Sequence, residues 1–173
     1  MDDPITSTNV LLSVITAVKD DEHGLRRSAT SLQAQTDLEF EWIIIDGASA
    51  NISVLHEMQK LASVIVSEPD NGVYDAMNKG VALARGEFVY FLNAGDELAH
   101  PRALAKLMKA TTSADVVFGD LFAFRKDRCW YRFRYPTVGY PSLLHVQTIC
   151  HQALITRIHL LDRLGGFDPS FPI

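Results

Sequence analysis

The chain alternates short apolar runs with longer stretches in which apolar residues recur every three or four positions. Residues 11–18, LLSVITAV, form a β-rich apolar run and predict a first strand. Asp20 or Asp21 then stands at a helix start, and Leu25, Ala29 and Leu32 keep helical spacing. FEWIIID at 40–46 predicts a second strand, and Leu55, Met58 and Leu61 with Ala62 a second helix. SVIVSE at 63–68 predicts a third strand, and DNG at 70–72 a turn. Val73, Met77, Val81 and Ala84 make one face of a third helix, with Gly86 as its stop. EFVYFLN at 87–93 predicts a fourth strand. Pro101 suits the first turn of a further helix with Leu104, Leu107 and Met108 inward. ADVVFGD at 114–120 predicts a fifth strand.

Repeated alternation of strand and helix implies an α/β fold whose mostly parallel central sheet is flanked by helices on both faces. After Asp120 the rhythm changes. LFAFRK and CWYRFRY predict a β-hairpin or irregular β layer, and a smaller mixed part follows, with VQTICHQALITR and HLLDRLGGFD. No stretch rich in Pro, Gly or Ser divides the chain, so residues 1–173 are read as one domain.

Composition narrows the function classes. Hydrophobic residues make up 47% of the 173 and charged residues 21%, as in an ordinary soluble domain. The net charge of −5 offers nucleic acid no global basic field. A local exception is FRKDRCWYRFRY at 124–135, where Arg125, Lys126, Arg128, Arg132 and Arg134 lie among aromatics. It reads as an edge strand guarded by charge, or as a surface for phosphate or anionic lipid and hence peripheral membrane association. Cys129 and Cys150 form no CxxC pair, so a reduced, cytoplasmic setting is expected. No apolar run approaches the roughly 18 residues of a membrane span, and the acidic, polar start does not resemble a secretory signal.

In open α/β sheets, ligands bind beyond the carboxyl ends of the strands. Those ends carry Lys19, Asp20 and Asp21, then Asp46, then Glu68, Asp70 and Asn71, then Asn93 and Asp96, then Asp120. Carboxylates so crowded repel one another unless a cation or hydrogen-bond donors sit among them, which hints at a metal. The alternative is that they cap helices. The chain lacks GxxxxGK[ST], GxGxxG after the first strand, HExxH and GxSxG. A nucleotide would therefore be held through acids and a divalent ion.

SVITAVKD, WIIIDGAS, DNGVYDAMNKGVALARGEFVYFLNAGDEL, HQALITR and GGFD occur in that order over about residues 10–172. Together they resemble the family 2 glycosyltransferases of the GT-A (Rossmann-like) fold, above all the branch that builds bacterial exopolysaccharide, capsule and O-antigen. The resemblance implies transfer of a sugar from a nucleotide-diphosphate donor to an acceptor hydroxyl, with inversion and with Mg²⁺ or Mn²⁺. The acceptor would be a saccharide or lipid-linked saccharide. Carried onto this chain, Thr16, Ala17 and Val18 would lie against the nucleoside, and Asp46 against the base or ribose. Asp75, Asn78 and Lys79 would line the donor pocket, Asn93 would meet ribose or a bound water, and Asp96 would hold the metal. His151 would stand near the phosphates or acceptor, or else be a hydrogen-bonded core histidine. Residues 10–120 would be the nucleotide-sugar half and 121–173 the start of the acceptor-side half.

Two departures matter. FLNAGDEL has Asn93 and Gly95 where many relatives have acids, so Asp96 alone keeps the carboxylate. In relatives an acid following GGFD by a short loop supplies the general base, whereas here GGFDPSFPI runs to Ile173. The base is therefore expected beyond Ile173, in a longer protein, with Asp168 as the candidate inside the chain. Two readings stay open: an inverting glycosyltransferase, and a catalytically incomplete nucleotide-sugar-binding domain. A sugar-nucleotide nucleotidylyltransferase is disfavoured, because SVITAVKDDEHG lacks a Gly-rich basic loop. The sequence names no sugar, acceptor or oligomeric state.

Overall fold

The computed structural model describes residues 10–125, 128–133 and 150–171. Its elements run β1 (Leu12–Val18), α1 (Glu22–Gln33), β2 (Glu41–Asp46), α2 (Ser53–Met58), β3 (Val64–Ser67), α3 (Val73–Leu83), β4 (Phe88–Phe91) and α4 (Ala103–Ala110). There follow β5 (Val116–Phe118), β6 (Leu121–Arg125), β7 (Arg128–Phe133), β8 (Leu154–Arg157) and α5 (Ile158–Leu164).

The main sheet has the order β3-β2-β1-β4-β8-β5. β3, β2, β1 and β4 are parallel, while β8 runs antiparallel to both β4 and β5. β4 and β5 are thus separated by a strand drawn from the mixed stretch late in the chain. The chain winds outward from β1 through β2 and β3, then returns to the other side of β1 with β4. That reversal opens a crevice between the carboxyl ends of β1 and β4, the usual ligand position in such sheets.

β1 and β2 are buried at every position because both faces of the sheet are covered there, and they are mostly apolar, with Ser13, Thr16, Glu41 and Asp46 as polar exceptions. On one face Ile15, Ala17, Ile43, Ile45, Val89 and Phe91 meet Ala76 and Met77 of α3. On the other, Val14, Val18, Trp42, Ile44 and Tyr90 meet Leu25, Ala29 and Leu32 of α1, Leu55 of α2 and Leu104 of α4.

Local expectations shift at three places. α2 stops at Met58, and Leu61 and Ala62 close a turn onto the Met58 carbonyl. Pro101 lies in the turn before α4, not inside its first helical turn. Gly86 is not a left-handed helix stop, since α3 ends on extended Ala84. Gly86 serves a close approach, where a Cβ would stand 2.6 Å from the Ser13 backbone N. Ser13 is also tied to buried Glu41, whose Oε1 accepts from Ser13 Oγ (2.6 Å) and Arg85 N (2.6 Å), and whose Oε2 accepts from Arg85 Nε (2.9 Å). Burial pushes the Glu41 carboxyl up, but the Ser13 and Arg85 donors outweigh it and hold the carboxyl below its ordinary value. This knot secures the sheet edge opposite the crevice.

β6 and β7 form the antiparallel hairpin expected after Asp120. Arg132 pairs with Asp120 and lies 5.1 Å over the Phe122 ring. Lys126 and Arg134 of the basic stretch lie outside the described residues. Among the described residues no helix is long and apolar enough to cross a membrane.

Candidate functional site

The end of β1 is stitched to the turns on either side of it. The Ala17 carbonyl accepts from Ala94 N (3.0 Å) and the Val18 carbonyl from Gly47 N (2.9 Å). Thr16 is fully buried, and its Oγ1 accepts from Trp42 Nε1 at 2.8 Å. Its side chain therefore serves the core, and what β1 offers the crevice is backbone and the small Ala17.

At the end of β2, Asp46 is fully buried and well supplied with donors. Its Oδ2 accepts from Ser49 N (3.0 Å) and Ser67 Oγ (2.6 Å), and its Oδ1 accepts from Ser49 Oγ. Neighbouring acids are also engaged. Asp21 caps α1 by accepting from Gly24 N (2.8 Å), Asp20 Oδ1 accepts from Ala50 N (2.8 Å), and Asp70 Oδ1 accepts from Gly72 N (3.0 Å). The crowding that hinted at a cation is thus largely relieved by N–H and O–H donors. Among the described residues no three His, Cys, Asp or Glu side chains gather closely enough to hold a metal.

On α3, Asp75, Asn78 and Lys79 share the expected face, where Lys79 Nζ stands 3.8 Å from Asp75 Oδ2, and each reaches a further partner. Asp75 Oδ2 accepts from Asn71 N at 2.9 Å. Lys79 Nζ donates to the Pro69 carbonyl (2.8 Å) and pairs with Glu68 (2.9 Å), which raises its pKa. Asn78 makes a two-way amide pair with Phe167, Nδ2 donating to the carbonyl (2.8 Å) and Oδ1 accepting from the N–H (2.8 Å). It clamps the GGFD segment onto the helix. Phe167 then stacks on Tyr74 (centroids 5.5 Å apart) and meets Phe91 edge-on (5.2 Å). Asp168 is exposed, and the Ser170 backbone N–H, 2.9 Å from its Oδ1, holds its carboxyl below the ordinary value. A cleft of about 460 Å³ lies between Asn71–Tyr74 and residues 169–171.

The turn after β4 is different. Asp96 is half-buried, and desolvation pushes its carboxyl up to about 6, against a backbone hydrogen bond from Asn93 and the charge of Arg27. Asn93 Oδ1 is buried and has no hydrogen-bond partner among the described residues. Asn93 Nδ2 lies 3.4 Å from His151 Nε2. Burial lowers the His151 pKa and favours the neutral ring, which also stands edge-on to Tyr74 (6.4 Å). Tyr90 of β4 donates to the Gln152 carbonyl (2.6 Å) and so fixes the turn that carries His151 beside Asn93.

The described geometry therefore joins Asn93 to His151, with Asp96 in the same turn, and leaves Asp168 solvent-exposed. Asp96 and Asn93 present hard oxygens that suit Mg²⁺ or Mn²⁺ when phosphate and water complete the shell. Tyr74 and Phe167, which build the aromatic wall, were missed among the candidate residues. Their signal was present: aromatics inside the two most distinctive motifs. Ser28 was missed too, although it interrupts the apolar stripe of α1.

The glycosyl transferase family 2 profile matches residues 13–161. An uncharacterized glycosyltransferase of Mycobacterium tuberculosis is 33% identical over 169 residues, covering 94% of this chain and 64% of that protein. A PGL/p-HBAD biosynthesis glycosyltransferase of Mycobacterium bovis is 32% identical over 153 residues, covering 83% and 57%. Among solved structures, Staphylococcus aureus TarS 1-349 in complex with UDP superposes with a TM-score of 0.73 at 20% identity, covering 93% of this chain and 51% of that one. A Pyrobaculum calidifontis mannosyltransferase in complex with GDP-Man and Mn²⁺ gives 0.68 at 19%, covering 95% and 49%. The chain spans under two thirds of the curated relatives' length and about half of the solved chains. The fold is that of the GT-A glycosyltransferases, and the chain belongs to glycosyl transferase family 2.

Proposed function

We propose that residues 10–120 form the donor half of an inverting glycosyltransferase, which moves a sugar from a nucleotide diphosphate to the hydroxyl of a saccharide or lipid-linked saccharide in surface glycan biosynthesis. Residues 121–173 begin its acceptor side. The observation that carries this reading is the turn after β4: a desolvated Asp96 carboxyl and an Asn93 Oδ1 without a partner among the described residues, beside the crevice of the sheet. Solved relatives in complex with UDP and with GDP-Man and Mn²⁺ support a nucleotide-sugar donor, and the M. bovis relative, a PGL/p-HBAD biosynthesis glycosyltransferase, supports a biosynthetic role.

The nucleoside lies along the backbone of Thr16, Ala17 and Val18, against the turn that Asp46 holds rigid. Asp96 and Asn93 supply oxygens for Mg²⁺ or Mn²⁺. A divalent ion, when bound there, would offset the negative charge that develops on the leaving diphosphate. Asp75 and Lys79 order the approach to α3, Asn78 holds the acceptor-side segment, and neutral His151 offers a ring N–H toward the donor or acceptor. The general base comes from a carboxylate beyond Ile173 or from Asp168.

A second reading is nucleotide-sugar binding without turnover. It is favoured by Asp168, whose carboxylate is engaged by Ser170 instead of standing free. Calorimetric titration of UDP and of GDP, with Mn²⁺ and with chelator, tests the shared donor site. Metal-dependent binding of one nucleotide is expected, and no binding to the folded chain would overturn the site. Sugar transfer by a longer chain, absent from this one, would separate the two readings.

A further inference from the structure

Helix α1 is more than cover for the sheet. Its buried face runs along the chain from Asn93 to Leu104. Ser28, fully buried, directs Oγ at the backbone of the Asn93–Asp96 turn. The hydroxyl lies 2.8 Å from the Asp96 carbonyl and 3.1 Å from the Asn93 carbonyl, and accepts from Gly95 N at 3.2 Å. A hydroxyl has one hydrogen to donate and lone pairs that accept, so one atom serves a carbonyl of the turn and its Gly95 N–H together.

Gly24, one helical turn earlier, lets the turn approach. A Cβ there would stand 2.8 Å from Gly95 N. Gly95 itself has φ +92°, a conformation that an L side chain rarely adopts. Arg27 pairs with Glu97, the next residue out. At the far end of the helix, Gln35 Nε2 donates to the His100 carbonyl (3.0 Å) and Gln35 Oε1 accepts from Leu104 N (3.2 Å). Residues 24, 27 and 28 share one helical face, and that face follows the turn atom by atom. Cover alone would need only apolar side chains here, as at Leu25, Ala29 and Leu32.

We propose that Ser28 is a positioning residue of the donor site, and that with Gly24 it forms the mould that sets the Asn93–Asp96 turn and so the aim of the Asp96 carboxylate. This rests on the reading of Asp96 as the donor-site acid. Ser28 touches no ligand and acts only through the turn.

Ser31 is a matched control. It is a buried hydroxyl on the same helix, donating to the Ser28 carbonyl (2.9 Å). The test is titration of Mn²⁺ with UDP or GDP, whichever the wild type binds. Free Mn²⁺ is read by electron paramagnetic resonance, and melting temperature is measured in parallel. Wild type, Ser28→Ala, Ser31→Ala and Asp96→Ala are compared. Ser28→Ala is expected to weaken Mn²⁺ binding on the order of tenfold, with a melting shift like that of Ser31→Ala, whose Mn²⁺ affinity stays at the wild-type value. Ser28→Cys, near in size but a poor hydrogen-bonder, gives the same reading should the alanine variant not fold. Equal Mn²⁺ affinity in the Ser28 and Ser31 variants, with Asp96→Ala impaired, would overturn the positioning role alone. Unchanged Mn²⁺ binding by Asp96→Ala would instead overturn the donor-site reading beneath it.

Discussion

Asp46 and Asp96 are both acids at or just beyond the carboxyl ends of parallel strands, yet they are opposites. Asp46 is sealed from solvent and receives three donors from Ser49 and Ser67. Asp96 is desolvated without matching support, and its carboxyl rises to about 6. A buried carboxylate rich in donors is a structural node, because its charge is already satisfied. One left short of donors is costly to the empty protein and is stabilised by a cation. The position of an acid in an α/β sheet does not decide its role; the donors around it do.

The sharpest way to break this comparison is to remove the node. Asp46→Ala strands the Ser49 and Ser67 donors and is expected to cost about 2–4 kcal/mol in denaturant unfolding. A loss within about 0.5 kcal/mol would show that those serines re-pair freely and that Asp46 is no node.

Next in size is the pH dependence of Asp96. Its folded carboxyl titrates near 6, above the ordinary 3.8, so the folded state binds the proton more tightly. The stability this group confers is complete below the ordinary value and is lost as pH rises through 6. The fall is up to about 3 kcal/mol between pH 4 and 7. Asp96→Asn is expected to lack that fall and to be more stable than wild type at pH 7.5 in the absence of metal. Stability curves at fixed salt check it. Identical pH profiles would place Asp96 among the satisfied acids.

Smaller effects lie away from the two acids. Asn78→Ala removes the clamp on Phe167 and is expected to cost about 1–2 kcal/mol in denaturant unfolding. Hydrogen exchange should show the Phe167 amide losing protection while the Ile15 amide keeps it. Asp168→Ala should change stability by less than about 0.5 kcal/mol, because the side chain is exposed and, among the described residues, bonds within its own loop.

Much of the fold was legible from the chain. Doubly covered strands show as short apolar runs, such as WIII in β2, and amphipathic helices follow them. β8 was harder, because LITR is a four-residue strand whose place depends on a gap left between β4 and β5. Nothing local marks such an insertion. Gly86 misled for a similar reason: its necessity comes from Ser13, which is distant in sequence. In the candidate site, the motifs identified Asp96, Asn93 and His151, and the structure sets Asn93 beside His151. They did not distinguish Asp46 from Asp96, since the Ser67 donor arrives from another strand. Helical spacing puts Asn78 on one face with Asp75 and Lys79, but it does not name Phe167 as the partner that packs on it.

The most direct test is a crystal of the chain soaked with Mn²⁺ and UDP or GDP, with anomalous scattering recorded at the manganese edge. The account predicts one strong peak against the Asp96 carboxylate and none at Asp46. A peak at Asp46, or nucleotide bound with no manganese beside Asp96, would contradict it.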